Sequence, residues 1–146
     1  FLRQNPVQLN QLCISKNYCP QFPNERIPIS EDWLFIRQLT LQQKIYCSHE
    51  TTNVLVNHDK RSVNSTDWTE FTKWNVYTGV LFANNQQLPI STKRKILSFT
   101  YLLAANILLS KSLKTKSWRY FIQSLGYFNS YYDPLLYKCL IKYIVK

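Results

Sequence analysis

A chain of 146 residues with 45% hydrophobic content has the length of one domain and enough apolar side chains for a packed core, which excludes wholesale disorder. Two glycines exclude a glycine-rich phosphate loop and disfavour a many-stranded sandwich or barrel, whose tight turns need more of them. The net charge of +10 is uneven: residues 1–70 carry seven basic and seven acidic side chains, residues 71–146 eleven basic ones and a single acid, Asp133.

No carboxylate lies between Glu70 and Asp133. Like charges crowded into one half repel one another, and a polyanion or an acidic partner lying against them relieves that repulsion. Scarce Gly and Ala beside plentiful Leu, Ile, Asn, Lys, Tyr and Phe match an AT-rich coding sequence, which accounts for part of the lysine usage without function. The chain holds no Met and opens on Phe1, which reads as a processed product or a fragment, and no cleavage signal is visible in it.

In chain order, residues 1–29 read as an irregular arm, because Pro6, Pro20, Pro23 and Pro28 interrupt any helix. A first helix is expected from Ser30 to about Cys47, with Glu31 and Asp32 in its favourable first turn. Leu34, Phe35, Leu39, Leu41, Ile45 and Tyr46 form its apolar arc, with Arg37, Thr40, Gln43 and Lys44 mostly opposite. Residues 48–64 are polar apart from Val54–Val56 and read as a loop. A second helix should start near Thr66, where Asp67 and Glu70 have the spacing of a capping box. Trp68, Phe71, Trp74, Tyr77, Val80 and Leu81 give it a wide aromatic face, ending near Ala83.

Asn84–Gln87 reads as a linker, and Pro89 suits the first turn of a third helix. That helix contains Ile96–Ser110, fifteen uncharged and mostly apolar residues between Lys93-Arg94-Lys95 and Lys111, Lys114 and Lys116. The leading cations oppose the helix dipole. Ser112–Ser117 reads as a basic connector, and a fourth helix is expected over Trp118–Leu125 with Gly126 just past its end. Asp133-Pro134 is the strongest start signal, N-cap followed by the first helical position. The last helix then carries Lys138, Lys142 and Lys146 as a basic stripe. The predicted fold class is all-α: four to five helices packed as a small bundle over residues 30–146, preceded by the Pro-rich arm.

Candidate sites follow from this layout. Fifteen residues make a helix of about 22 Å, short of the roughly 30 Å of membrane hydrocarbon, so a core helix is favoured over a span. Cys13, Cys19, Cys47 and His49 could supply a Cys3His zinc set, but their spacing matches no close-paired knuckle; no cofactor is expected. Plain thiols are favoured over that set and over two disulfides. His49 and His58 sit in a polar loop, and no nucleophile or base arrangement accompanies them, so a non-enzyme is expected. Lys93, Arg94, Lys95, Lys111, Lys114, Lys116, Trp118, Arg119, Lys138 and Lys142 are the candidate nucleic-acid contacts: cations neutralise phosphates, and interleaved aromatics stack on unpaired bases.

The expectation is a non-catalytic basic helical subunit of a larger assembly, contacting RNA or DNA through residues 93–146 and other subunits elsewhere. An intracellular site, organellar or nuclear, is favoured; an organellar ribonucleoprotein particle fits the codon bias. The alternatives are a secreted helical protein stapled by disulfides that binds a receptor or host protein, for which Asn64-Ser65-Thr66 supplies a glycan acceptor, and an accessory subunit of a membrane complex.

Overall fold

The computed structural model describes residues 13, 14, 17, 27, 31–42, 67–85, 87–127 and 133–145. There are five helices, α1 (Glu31–Gln42), α2 (Trp68–Ala83), α3 (Ile90–Ser110), α4 (Lys114–Leu125) and α5 (Pro134–Val145), and no strand among the described residues. The all-α expectation holds. The chain divides into two compact units, Phe1–Thr66 and Asp67–Lys146. The expected N-terminal arm, the continuation of the first helix to Cys47 and the loop over 48–64 fall almost wholly outside the described residues.

In the first unit, Leu34, Phe35, Ile36 and Leu39 of α1 are buried. Arg37, expected on the polar side, is buried as well, with its guanidinium 5.4 Å from the Trp33 ring centre. A helix buried on successive positions takes the aliphatic stem of the arginine inward, and the aromatic face accepts the cation. Burial lowers the guanidinium to about 10, so it stays charged at neutral pH.

In the second unit, Asp67 caps α2 by accepting from the Thr69 backbone N–H at 2.8 Å. Glu70 turns instead to Trp74 Nε1 at 2.8 Å and Lys73 Nζ at 3.8 Å. Asp133 caps α5 by accepting from Leu135 N–H at 2.9 Å, with Pro134 as first helical residue. Pro89 occupies the N-cap of α3 and not its first turn, so α3 starts without a side-chain cap or an acid.

α3 is the axis of this unit: α2, α4 and α5 all pack on it. Paired residues give the directions. Gly79 faces Thr100 and Lys111 lies over Trp68, so α2 is antiparallel to α3. Ser117 bonds Ala105 while Tyr101 stacks on Tyr120, so α4 is antiparallel too. Cys139 meets Leu102 and Lys142 meets Asn106, so α5 runs parallel to α3. Leu102, Ala105, Phe121, Leu136 and Cys139 form a shared core, bordered by Tyr120, Leu125, Leu135 and Tyr143.

The buried face of α2 is distinct from its aromatic arc: Thr72, Asn75, Thr78, Gly79, Phe82 and Ala83 are buried, whereas Tyr77 is 44% exposed. Small residues allow a closer approach of two helices than aromatic ones, and Gly79 provides it. Their polar groups are satisfied within the helix, Thr72 Oγ1 donating to the Trp68 carbonyl at 2.7 Å and Asn75 Nδ2 to the Phe71 carbonyl at 3.1 Å.

The basic connector is shorter than expected. Ser112 takes a left-handed conformation, φ 62°, while Ser112 N–H donates to the Leu109 carbonyl and Leu113 N–H to the Leu108 carbonyl. This is a Schellman reversal with serine where glycine is usual, and it returns the chain to helix at Lys114. Gly126, finally, is the C-cap of α4 in a right-handed conformation, φ −66°, so its lack of a side chain is not required there.

Candidate nucleic-acid interface

The ten candidate contacts separate into three places. Lys93, Arg94 and Lys95 lie in the first turns of α3, where no acid offsets them. Lys111, Lys114, Lys116, Trp118 and Arg119 gather where α3 turns into α4. Lys138 and Lys142 lie on α5. From Lys93 to Lys111 is eighteen residues, five full turns of a straight helix, so the two ends are about 27 Å apart along one side of α3. The candidates do not form a single patch.

At the α3–α4 corner, the C-terminal end of α3 tolerates Lys111, whereas Lys114 and Lys116 stand in the first turn of α4, which has no acidic residue and no side-chain cap. The N-terminus of α4 thus carries positive charge where the dipole is positive, whereas Lys93, Arg94 and Lys95 are the fourth to sixth residues of α3, beyond its first turn. Lys111 Nζ is 4.1 Å from the Trp68 ring centre, and Lys116 Nζ is 3.3 Å from Thr69 Oγ1. The N-terminus of α2 therefore belongs to the corner, a long-range pairing with no signal in the local sequence. Lys111, Lys114, Lys116 and Arg119 are exposed, and among the described residues none has a carboxylate partner.

Two of the candidates, Lys142 and Trp118, are engaged in packing within the chain. Lys142 Nζ donates to Asn106 Oδ1 at 2.8 Å, partly buried, so of the described lysines in the basic stripe of α5 Lys138 is the exposed one. This pairing also explains the polar Asn106 inside the apolar stretch of α3. Trp118 is 50% exposed, yet its ring stacks on Phe121 at 5.4 Å and meets Tyr143 edge-on at 5.2 Å. Half of that indole is committed to packing.

Behind Trp118 runs a polar bridge across three helices. Ser117 Oγ donates its one hydrogen to the Ala105 carbonyl at 2.7 Å, so the Tyr143 hydroxyl, 2.6 Å away, donates to Ser117. Further along α3 a column of three rings, Tyr120, Tyr101 and Tyr127, stacks at 6.2 and 5.7 Å with interplanar angles of 22° and 13°. Burial, then the neighbouring phenols of Tyr127 and Tyr120, hold Tyr101 above the usual phenol range. The column is half-buried.

Of the weak zinc candidates, Cys13 is exposed and free, while Cys19, Cys47 and His49 lie outside the described residues, as does His58. No group of three or more potential metal ligands occurs among the described residues. Cys139 is a fully buried free thiol whose Sγ lies 3.9 Å from the Leu102 carbonyl. Burial, above all, raises it to about 11. No described helix is long and apolar enough to cross a membrane, and the apolar run of α3 is core, with Ile96, Phe99, Leu102, Ala105, Leu108 and Leu109 buried. Comparison of the chain with protein-family models, with curated proteins and with solved structures finds no match.

Proposed function

We propose that this chain is a non-catalytic, basic, all-α subunit of a larger assembly that contacts RNA or DNA. The principal contact is the α3–α4 corner, with the start of α3 as a second. What carries the proposal is the set of exposed cations at the corner, Lys111, Lys114, Lys116 and Arg119, in a stretch without a carboxylate from Glu70 to Asp133. Positive charge in the first turn of the uncapped α4 opposes helix stability, and phosphate binding rewards the same charges. Lysine predominates over arginine, which suits phosphate tracking more than base-edge recognition.

The separation of the two basic groups sets a length requirement. At roughly 3.4 Å per nucleotide along a strand, about eight nucleotides bridge them. Fluorescence anisotropy with labelled RNA and DNA of 4, 8, 12 and 20 nucleotides, single- and double-stranded, tests this. Affinity should rise steeply up to about eight nucleotides and then level off. Replacing Lys93, Arg94 and Lys95 with Gln should remove that step while leaving the fold intact. Loss of folding in that variant, or affinity indifferent to length, contradicts the proposal.

A further inference from the structure

The fifth helix is apolar on two sides. Its inner side, Leu136 and Cys139 with Tyr143 at the border, packs into the core. On its outer side Leu140, Ile141 and Ile144 are 37, 60 and 82% exposed, and Tyr137, one turn earlier, is 57% exposed. These positions follow the i, i+3, i+4, i+7 rule and span an arc of about 100°, the width of a helix–helix seam. Their exposed surface amounts to roughly 400 Å², the scale at which an apolar patch marks an interaction site. Lys138 borders the row at the position that selects a partner's flanking charge in paired helices. It is exposed and has no carboxylate partner among the described residues.

From these features we infer that the outer face of α5 is a docking seam for a helix of another protein, one whose own apolar row is flanked by Asp or Glu. The charge of this unit decides among occupants. A second copy of the chain would bring together two units that each carry eleven basic and three acidic side chains, against strong repulsion. An anionic lipid surface is met by several cations beside an interfacial helix's apolar face, but here Lys138 stands exposed there while Lys142 is held by Asn106. A helix with acidic flanks buries the seam and neutralises Lys138 at once. This inference rests on the proposed role as an assembly subunit and adds the protein-facing surface to the nucleic-acid-facing one.

The full chain can be challenged with a displayed library of helical peptides that have Leu at the seam positions and Glu, Gln or Lys at the flanks. Glu flanks should be enriched at least about tenfold over Lys flanks. The selected peptide should bind the I141Q/I144Q variant at least about tenfold more weakly, and K138E should reverse the flank preference. Both changes are at exposed helical sites, and unchanged circular dichroism shows that the fold persists. The inference is overturned by selection indifferent to flank charge or by undiminished binding to I141Q/I144Q. It is equally overturned by self-association that the double variant abolishes, or by association with phosphatidylserine vesicles without peptide enrichment. RNA anisotropy on I141Q/I144Q separates the two surfaces. Retained RNA binding with lost peptide binding supports two independent sites, whereas peptide binding by a chain that ignores RNA refutes only the nucleic-acid role.

Discussion

The close approach of α2 to α3 makes the sign of one substitution diagnostic. A Cβ added at Gly79 would stand 2.5 Å from both Cγ2 and Oγ1 of Thr100 and 3.1 Å from its Cβ, far inside the roughly 3.5–4.0 Å of a favourable carbon contact. Thr100 is branched at Cβ, so rotating it exchanges one γ atom for another and opens little space. Overpacking of this kind costs about 1–3 kcal/mol, while Gly→Ala within a helix gains about 0.5–1 kcal/mol. G79A should therefore destabilise by about 1–2 kcal/mol, which lowers Tm by roughly 3–6 °C for a chain of this size. T100A removes both offending atoms, together with a buried hydroxyl that has no hydrogen-bond partner. It should itself be close to neutral, since loss of a methyl (about 0.8 kcal/mol) is offset by removal of an unsatisfied group. In the T100A background G79A should cost less than about 0.5 kcal/mol, giving a coupling of about 1–2 kcal/mol in a double-mutant cycle followed by urea unfolding. If G79A instead stabilises the wild type, as at an open helical site, the two helices do not meet this closely and the packing argument fails.

The turn between α3 and α4 makes a second test, because Ser112 holds a conformation that glycine adopts freely. S112G should raise stability by about 0.5 kcal/mol and S112V should lower it by about 1–2 kcal/mol; equal effects in thermal unfolding would contradict the left-handed assignment. In the three-helix bridge, S117A removes the second bond to the Ala105 carbonyl and leaves the Tyr143 hydroxyl without its acceptor and should cost about 1–3 kcal/mol, whereas Y143F removes only the outer donor and should cost less; the reverse order in urea midpoints would refute the bonding direction. Cys139, raised to about 11 by burial, should resist iodoacetamide at pH 8 while exposed Cys13 reacts, as peptide-resolved mass spectrometry can show. Because the folded state favours the neutral thiol, the contribution of this group is complete below the ordinary thiol value of 9.0 and is lost as pH rises towards 11. Stability that increases over that interval would contradict its placement in the core.

What could be read from the sequence was set by local chemistry. Asp67 and Asp133-Pro134 announce helix starts because a cap and the donors it satisfies are neighbours in the chain. The apolar run of α3 was legible as a core helix because its length is too short for a bilayer. The face that α2 buries was not legible: six large side chains outweigh one glycine in any hydrophobic count, but close approach is decided by Gly79 and by what α3 places opposite it. The start of α4 was hidden because serine performs a reversal that usually declares itself through glycine. The candidate interface divided for the same kind of reason. A run of cations without acids is visible in one dimension, but the 27 Å between its ends follows from the length of α3. The capture of Lys142 by Asn106 and the joining of Trp68 to the corner depend on pairings dozens of residues apart.

Counterion release tests the central claim most directly. Seven cations divided between the two ends of α3, Lys93, Arg94, Lys95, Lys111, Lys114, Lys116 and Arg119, give a slope of log affinity against log salt of about −5 on single-stranded RNA, at −0.7 per phosphate contact. With the four corner residues replaced by Gln the slope should fall to about −2 in anisotropy titrations on a 12-nucleotide RNA. Absence of binding at low salt, or a slope that the corner substitutions leave unchanged, would show that these charges do not meet phosphates.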